Sequence, residues 1–240
     1  MSTPTYIQYY LIHNGTKERR DIMQTEFTKW GIHPVKWVVH PNKQDLTEDL
    51  INQIVLQVPC QSNDRFVHPS RMLLRRGLIS CTYKHYLCLK DIVDNNYEYG
   101  VIMEDSVTFS GPIPELVQTY INQLRDYYYD DWDIVFDSNW SRFSESPTRS
   151  DVLVYPKRNE ITPQCHGGTK AAVFYLLTNS CAKRLLENYL PFYDSPDWYM
   201  NDLFRKLNIR SYWVDPPAVH VQENHRSGTS EIDRIEGPIG

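Results

Sequence analysis

The chain has 240 residues, 41% of them apolar, enough to bury a sizeable core as one large α/β domain or two small ones; one domain is expected over 1–240, with its core at about 7–225 and a flexible tail at 226–240. A net charge of −5 with scattered Lys and Arg excludes the basic field that holds a nucleic-acid backbone, so no nucleic-acid partner is expected. No apolar run approaches the roughly 20 residues of a membrane helix, the polar start lacks the apolar core of a signal peptide, and five cysteines without a CxxC pair read as free thiols, so a soluble cytoplasmic chain with no membrane span is expected.

In chain order, Ile7 to Ile12 predicts an apolar, aromatic strand, and His13-Asn14-Gly15-Thr16 a polar turn that caps a helix. That helix runs from Lys17 to Trp30, with Arg20, Met23, Phe27 and Trp30 at gaps of three, four and three, which places Arg20 on the inward stripe. A buried-face arginine wants an anion. In the first βα unit of a nucleotide-binding sheet that anion is a phosphate or an acidic side chain, and His13 and Asn14 would line the same crevice. An arginine that snorkels or pairs structurally gives the same pattern.

Val35 to His40 reads as a second strand and Leu46 to Val58 as a helix, an alternation that implies a parallel sheet. Pro59 to Arg76, with Arg71, Arg75 and Arg76, has no period; it reads either as a loop over an anionic ligand or as solvated surface. Leu78 to Asn95 is a helix with Ile79, Tyr83, Tyr86, Leu89 and Val93 on one stripe and His85 at its flank. It leads into Tyr99-Gly100-Val101-Ile102-Met103, a buried strand that ends in Glu104-Asp105. Buried strands do not keep unpaired charge, so both carboxylates belong at the strand's mouth, where they could hold a hard divalent cation on substrate phosphates. Two acids that merely open a loop look the same.

A further helix is predicted over Ile113 to Tyr129, then a strand over Trp132 to Phe136 that ends at Asp137-Ser138-Asn139. Lys170 to Leu177 is another apolar strand; the Cys165-His166 pair before it has no companion ligands and reads as a turn. Ser195-Pro196-Asp197 opens a helix in which Asp197, Met200, Phe204 and Leu207 share a face, so Asp197 points inward, although an acid in the first turn also suits the helix dipole. Ser211 to Val214 is read as the final strand. Beyond Pro216-Pro217, His220 stands between two valines as either a hydrogen-bonded structural residue or a metal ligand.

The order of these features resembles glycosyltransferase family 25, which includes bacterial lipooligosaccharide galactosyltransferases and collagen galactosyltransferase domains. The resemblance rests on Glu18-Arg19-Arg20 after the first turn, on Gly77, Cys81 and His85 before the acidic strand, and on Glu104-Asp105 at its end. It continues through Trp132-Asp133-Ile134, Gly168-Thr169 with Ala172, Ala182 with Leu185-Leu186, and Asp197, Pro216 and Gln222, and so covers about 7–230. Two departures stand out: Ser106 replaces the second Asp of the acidic motif, and Ile12-His13-Asn14 displaces the usual Asn of the first strand's end.

The resemblance implies a single GT-A-like (Rossmann-like) α/β domain, a twisted, mainly parallel sheet flanked by helices. It implies transfer of galactose or glucose, with inversion, from a nucleotide-diphosphate sugar, UDP-linked, to a glycan or protein hydroxyl acceptor. Glu104 and Asp105 would position the ribose and a Mn²⁺ or Mg²⁺ ion, with His220 as a late metal ligand, a shell that Ser106 weakens. His13, Asn14, Arg20 and His85 would line the nucleotide side, and Trp140, Tyr193 and Trp198 could stack on sugar rings, although buried aromatics are more often plain core. Asp197 is the first choice for the base that deprotonates the acceptor and Asp137 the second. Two rivals are a binding or scaffolding protein that lost the metal, which Ser106 favours, and a metal-dependent hydrolase, which needs a second dense cluster of acids or histidines that the sequence lacks.

Overall fold

A computed structural model describes residues 6–56, 75–138, 152–157 and 172–222; Arg71, Asn139, Trp140, the run 165–169 and the tail 226–240 of the sequence reading lie outside them. In chain order the elements are β1 (Ile7–Ile12), α1 (Lys17–Trp30), β2 (Val35–Val38), α2 (Glu48–Ile54), α3 (Arg76–Asp94), β3 (Tyr99–Glu104), β4 (Val107–Phe109) and α4 (Ile113–Tyr128). Then follow β5 (Ile134–Phe136), β6 (Val154–Lys157), β7 (Phe174–Thr178), α5 (Asn179–Tyr189), α6 (Pro196–Leu207), β8 (Ser211–Val214) and β9 (Val219–Val221).

Strand side chains alternate between two cores. In β1, Tyr9 and Leu11 join one core while Tyr10 and Ile12 join the other; in β3, Val101 and Met103 part from Ile102 in the same way. Met23 and Phe27 of α1 and Val117, Ile121 and Leu124 of α4 fill the first core, and Leu89 of α3, Leu185 of α5 and Phe204 of α6 fill the second. The result is an α/β architecture with helices on both faces of a seven-stranded sheet ordered β2-β1-β3-β7-β5-β8-β6. β1 runs parallel to β2 and β3, and β5 to β8, while β7 and β6 run against their neighbours, so the sheet is mainly parallel by strand direction. Gly100 favours this packing: a Cβ there would lie 2.2 Å from Ile92 Cδ1 of α3, so the Ile92 side chain would have to move out of its place between helix and strand.

Several bounds differ from the sequence reading. α2 starts at Glu48 because the Thr47 hydroxyl accepts the Leu50 N–H (3.2 Å), and it stops at Ile54 because Val55 turns extended to bridge Phe192. α5 was not foreseen as a helix, although Thr178 caps it by accepting the Cys181 N–H (3.1 Å). Neither were the short strands β4 and β6 foreseen, nor that β9 would be a strand: β4 and β9 pair only with each other, across more than a hundred residues of chain, and no local period announces such a pairing.

Candidate active site

The chain passes from β1 through α1 to β2 on one side, and then through α3 to β3 on the other side of β1. Because α1 and α3 cover opposite faces, a crevice opens where β1 and β3 end, the switch point of the sheet. Ile12 lies opposite Glu104, and the Asp105 N–H donates to the Ile12 carbonyl (3.0 Å), extending the pairing one residue into the crevice. The crevice encloses about 650 Å³ of space continuous with solvent and is lined by His13, Asn14, Arg19, Lys84, Glu104 and Asp105 among others.

Period-two alternation sends the two acids to different walls. Asp105 turns toward α1, where its Oδ2 accepts from His13 Nδ1 (2.8 Å) and the Asn14 N–H (3.0 Å), and its Oδ1 pairs with Arg19. Burial alone would raise the Asp105 pKa, but His13, Arg19 and the Asn14 N–H outweigh it and hold the carboxyl below its ordinary range. The guanidinium in the crevice is therefore Arg19. Arg20 is exposed and lies over the Trp37 ring (4.9 Å), outside the crevice, which corrects its expected place on the inward stripe. The true stripe passes through Met23 and Phe27 and reaches back four residues to Arg19 rather than three to Arg20. Asn14 stays at the crevice, with its side chain accepting from the Thr16 N–H and hydroxyl (both 2.9 Å).

Glu104 turns toward α3. Its Oε1 accepts from His85 Nε2 (3.2 Å) and Cys81 Sγ (3.8 Å), and His85, fully buried, meets the Tyr175 hydroxyl through Nδ1 (2.7 Å). Cys81, His85 and Glu104 each present a ligand atom within 4.8 Å of the others, a group compatible with a divalent metal of unfixed identity. Its chemistry does not suit Mn²⁺ or Mg²⁺, which take oxygen ligands: only one donor is a carboxylate, beside a thiol and an imidazole. The expected shell of Asp105, Glu104 and His220 does not assemble either, because Asp105 is closed by its own three donors. His220 stands on β9 with its Nε2 at the Ser110 hydroxyl (3.3 Å), outside the crevice, and it is Gln222 that reaches Ser106, donating its N–H to the Ser106 carbonyl (2.9 Å).

Asp137, the second candidate base, is buried at the end of β5. Its Oδ2 accepts from the Tyr120 hydroxyl (2.8 Å) and its Oδ1 from the Ala218 and Val219 N–H groups (2.8 and 3.2 Å), so it ties the start of β9 to α4. Burial, only partly offset by these donors, lifts its pKa to about 6. Asp137→Ala is expected to lower stability by about 2–4 kcal/mol in urea unfolding, because it orphans three buried donors, whereas Asp137→Asn keeps an acceptor for the two amides and loses less.

Asp197 sits half-buried in the first turn of α6, with its Oδ1 accepting from the Ser195 hydroxyl (2.7 Å). Burial raises its pKa to about 7 against hydrogen bonds from the Ser195 hydroxyl and the Trp198 N–H, and the Glu104 charge adds to the rise. Trp198 is half-buried beside it, and Tyr193 spends its hydroxyl on Asp202 (2.6 Å) and packs against Tyr199.

The sequence reading missed Arg19, Lys84 and Asn42. Lys84, 2% exposed, donates to the His13 carbonyl (2.9 Å) and to Asn42 Oδ1 (2.7 Å). A signal for it existed: Gly77, Cys81, Lys84 and Cys88 recur at gaps of four, three and four, a single helical face with a lysine in it. Gly15, at φ +88° and with a Cβ position only 2.9 Å from Asn42 Nδ2, lets the first turn close against that partner.

No helix among the described residues is long and apolar enough to cross a membrane. No curated protein matches the chain. Among solved structures it is similar to A197 from STIV (9% identity, 90% of this chain and 83% of that one, TM-score 0.45). It is also similar to a putative glucose-1-phosphate thymidylyltransferase from Bacillus anthracis in complex with a sucrose (10% identity, 98% and 97%, TM-score 0.42). A family model described as glycosyltransferase family 25 (LPS biosynthesis protein) matches residues 8–200, well over half of the chain, with the crevice, the acidic strand end and Asp197 all inside the match. The chain belongs to glycosyltransferase family 25 and is a glycosyltransferase.

Proposed function

We propose that the crevice binds a nucleotide-diphosphate sugar, UDP-linked, and that the protein transfers its galactose or glucose to a glycan or protein hydroxyl with inversion, on one GT-A-like domain. The observation that carries this reading is Asp197, an acid in the first turn of α6 whose pKa burial lifts to about 7, with the charge of Glu104 at the mouth of β3 adding to the rise. The acceptor oxygen bonds to the anomeric carbon from the face opposite the diphosphate. The anomeric carbon–phosphate oxygen bond breaks, the nucleoside diphosphate leaves with the electron pair, and the acceptor proton passes to the Asp197 carboxylate. His13, Asn14 and Arg19 border the nucleotide side, and Glu104 accepts hydroxyls of the donor.

Mn²⁺ or Mg²⁺, which would neutralise charge on the departing diphosphate, is left out of this reading, since Asp105 is spent on His13, Asn14 and Arg19 and the group around Glu104 offers a single oxygen ligand. A cytoplasmic setting belongs to the same reading and is supported by the free thiols Cys81, Cys88 and Cys181. The test is thermal unfolding with a panel of nucleotide sugars, each in Mn²⁺ and in chelator. At a hundredfold excess over Kd the bound donor should add about 2.7 kcal/mol of stability, seen as a rise of several degrees in Tm, and the rise should persist in chelator. A panel in which no nucleotide sugar moves the midpoint refutes the donor assignment.

A further inference from the structure

Lys84 is a buried ammonium without a carboxylate beside it. Its Nζ meets two neutral oxygens, the His13 carbonyl at 2.9 Å and Asn42 Oδ1 at 2.7 Å, and no acid among the described residues lies within ion-pair distance of it. An ammonium has three donors, and a buried charge held only by neutral acceptors is costly unless an anion arrives to pair with it. Asp105 and Asp45 act on Lys84 only through their charge, and both are already taken, Asp105 by Arg19, His13 and the Asn14 N–H and Asp45 by His40 and the Asn42 N–H. The first turn of α3 adds to this field: it carries no acid and no side-chain cap, and Gly77 within it lines the same crevice as Lys84, so the positive end of the helix dipole there favours an anion. Glu104, grouped with Cys81 and His85, would repel phosphate and suits sugar hydroxyls instead.

We propose that Lys84, assisted by Arg19, directly binds the diphosphate of the donor and takes the place of a metal ion, so that donor binding is metal-independent. This rests on the reading of the crevice as a nucleotide-sugar site. It also orients the donor: phosphates lie against Lys84 and Arg19, and sugar lies toward Glu104 and Asp197. A rigid, preplaced cation stabilises the leaving diphosphate without a metal's coordination shell.

The test is titration calorimetry on the full chain with UDP, inorganic pyrophosphate and uridine, each in EDTA and in Mn²⁺. UDP and pyrophosphate should bind in EDTA, with Mn²⁺ changing either affinity by less than about threefold. Lys84→Met, checked for folding by circular dichroism, should weaken both by about 10–100-fold while the response to uridine stays as it was, as expected for loss of one charge-assisted contact to phosphate. Binding of UDP and pyrophosphate only with Mn²⁺, or full-strength binding by folded Lys84→Met, overturns the proposal while leaving the nucleotide-sugar reading intact. Lys84-dependent pyrophosphate binding by a chain that ignores UDP supports the anion site and instead refutes the nucleotide-sugar reading. Should Lys84→Met not fold, pyrophosphate with the native chain decides: binding in EDTA supports the proposal and a strict need for Mn²⁺ overturns it.

Discussion

Asp197→Asn should lower the turnover of sugar transfer by about 10²–10⁴-fold with the donor still bound, because the amide keeps the shape of the side chain and the Ser195 hydrogen bond but cannot take the acceptor's proton. The pH profile supplies an independent readout. Burial and the Glu104 charge lift the Asp197 pKa to about 7, so the free carboxylate that acts as base is the major form only above that pH. kcat/KM of the native chain should therefore rise about tenfold per pH unit up to about pH 7 and level off beyond it, and the residual rate of Asp197→Asn should lack that limb. Transfer by Asp197→Asn at a near-native rate would remove Asp197 from the mechanism. In the same assay Asp137→Asn should keep most of the rate, since the Tyr120 hydroxyl and the Ala218 and Val219 N–H groups that it accepts from serve the join between α4 and β9.

The second large effect is on stability. Asp105→Ala is expected to cost about 3–5 kcal/mol in urea unfolding, because it leaves Arg19, buried His13 and the Asn14 N–H without the carboxylate that gathers them. The sign of its pH dependence follows from the lowered pKa. The native state prefers the ionised form, so the contribution is complete above the ordinary carboxylate value of about 3.9 and is lost as pH falls through the lower native value. Acid unfolding of the native chain should accordingly include a proton uptake in that window that Asp105→Asn lacks. If Asp105→Ala unfolds at the native urea midpoint, the cluster is not holding the crevice together. The same cluster explains why Ser106 is tolerated beside it: with Asp105 already satisfied by protein donors, nothing in this geometry calls for a second acid to complete a cation's shell.

Much of this was legible in the residues. β1, α1 and β8 have the bounds that apolar period and turn chemistry assign, and β3 ends where the acids begin, because buried strands and capped helices are local patterns. The family, too, is carried by short motifs in fixed order, which a linear sequence contains in full. Contacts across the fold were another matter. Arg19 and Arg20 are neighbours in sequence, and which one enters the crevice depended on a rotation of α1 by one residue, about 100° of helix, set by how Met23 and Phe27 seat on the sheet. His220 was a candidate ligand because a neutral imidazole commonly binds metals, but the register of β4 against β9 puts it opposite Thr108 and brings Gln222, not His220, to Ser106. Adjacent acids looked like one cation site, yet alternation about the strand axis sends Glu104 to α3 and Asp105 to α1. The sequence by itself determined most of the longer elements, the sheet class and the family, since these follow from periodicities of a few residues and short motifs in order. Only the tertiary structure decided which charges meet, because helix rotation and strand register are fixed by packing summed over the whole core, and a shift of one residue in either exchanges a buried partner for solvent.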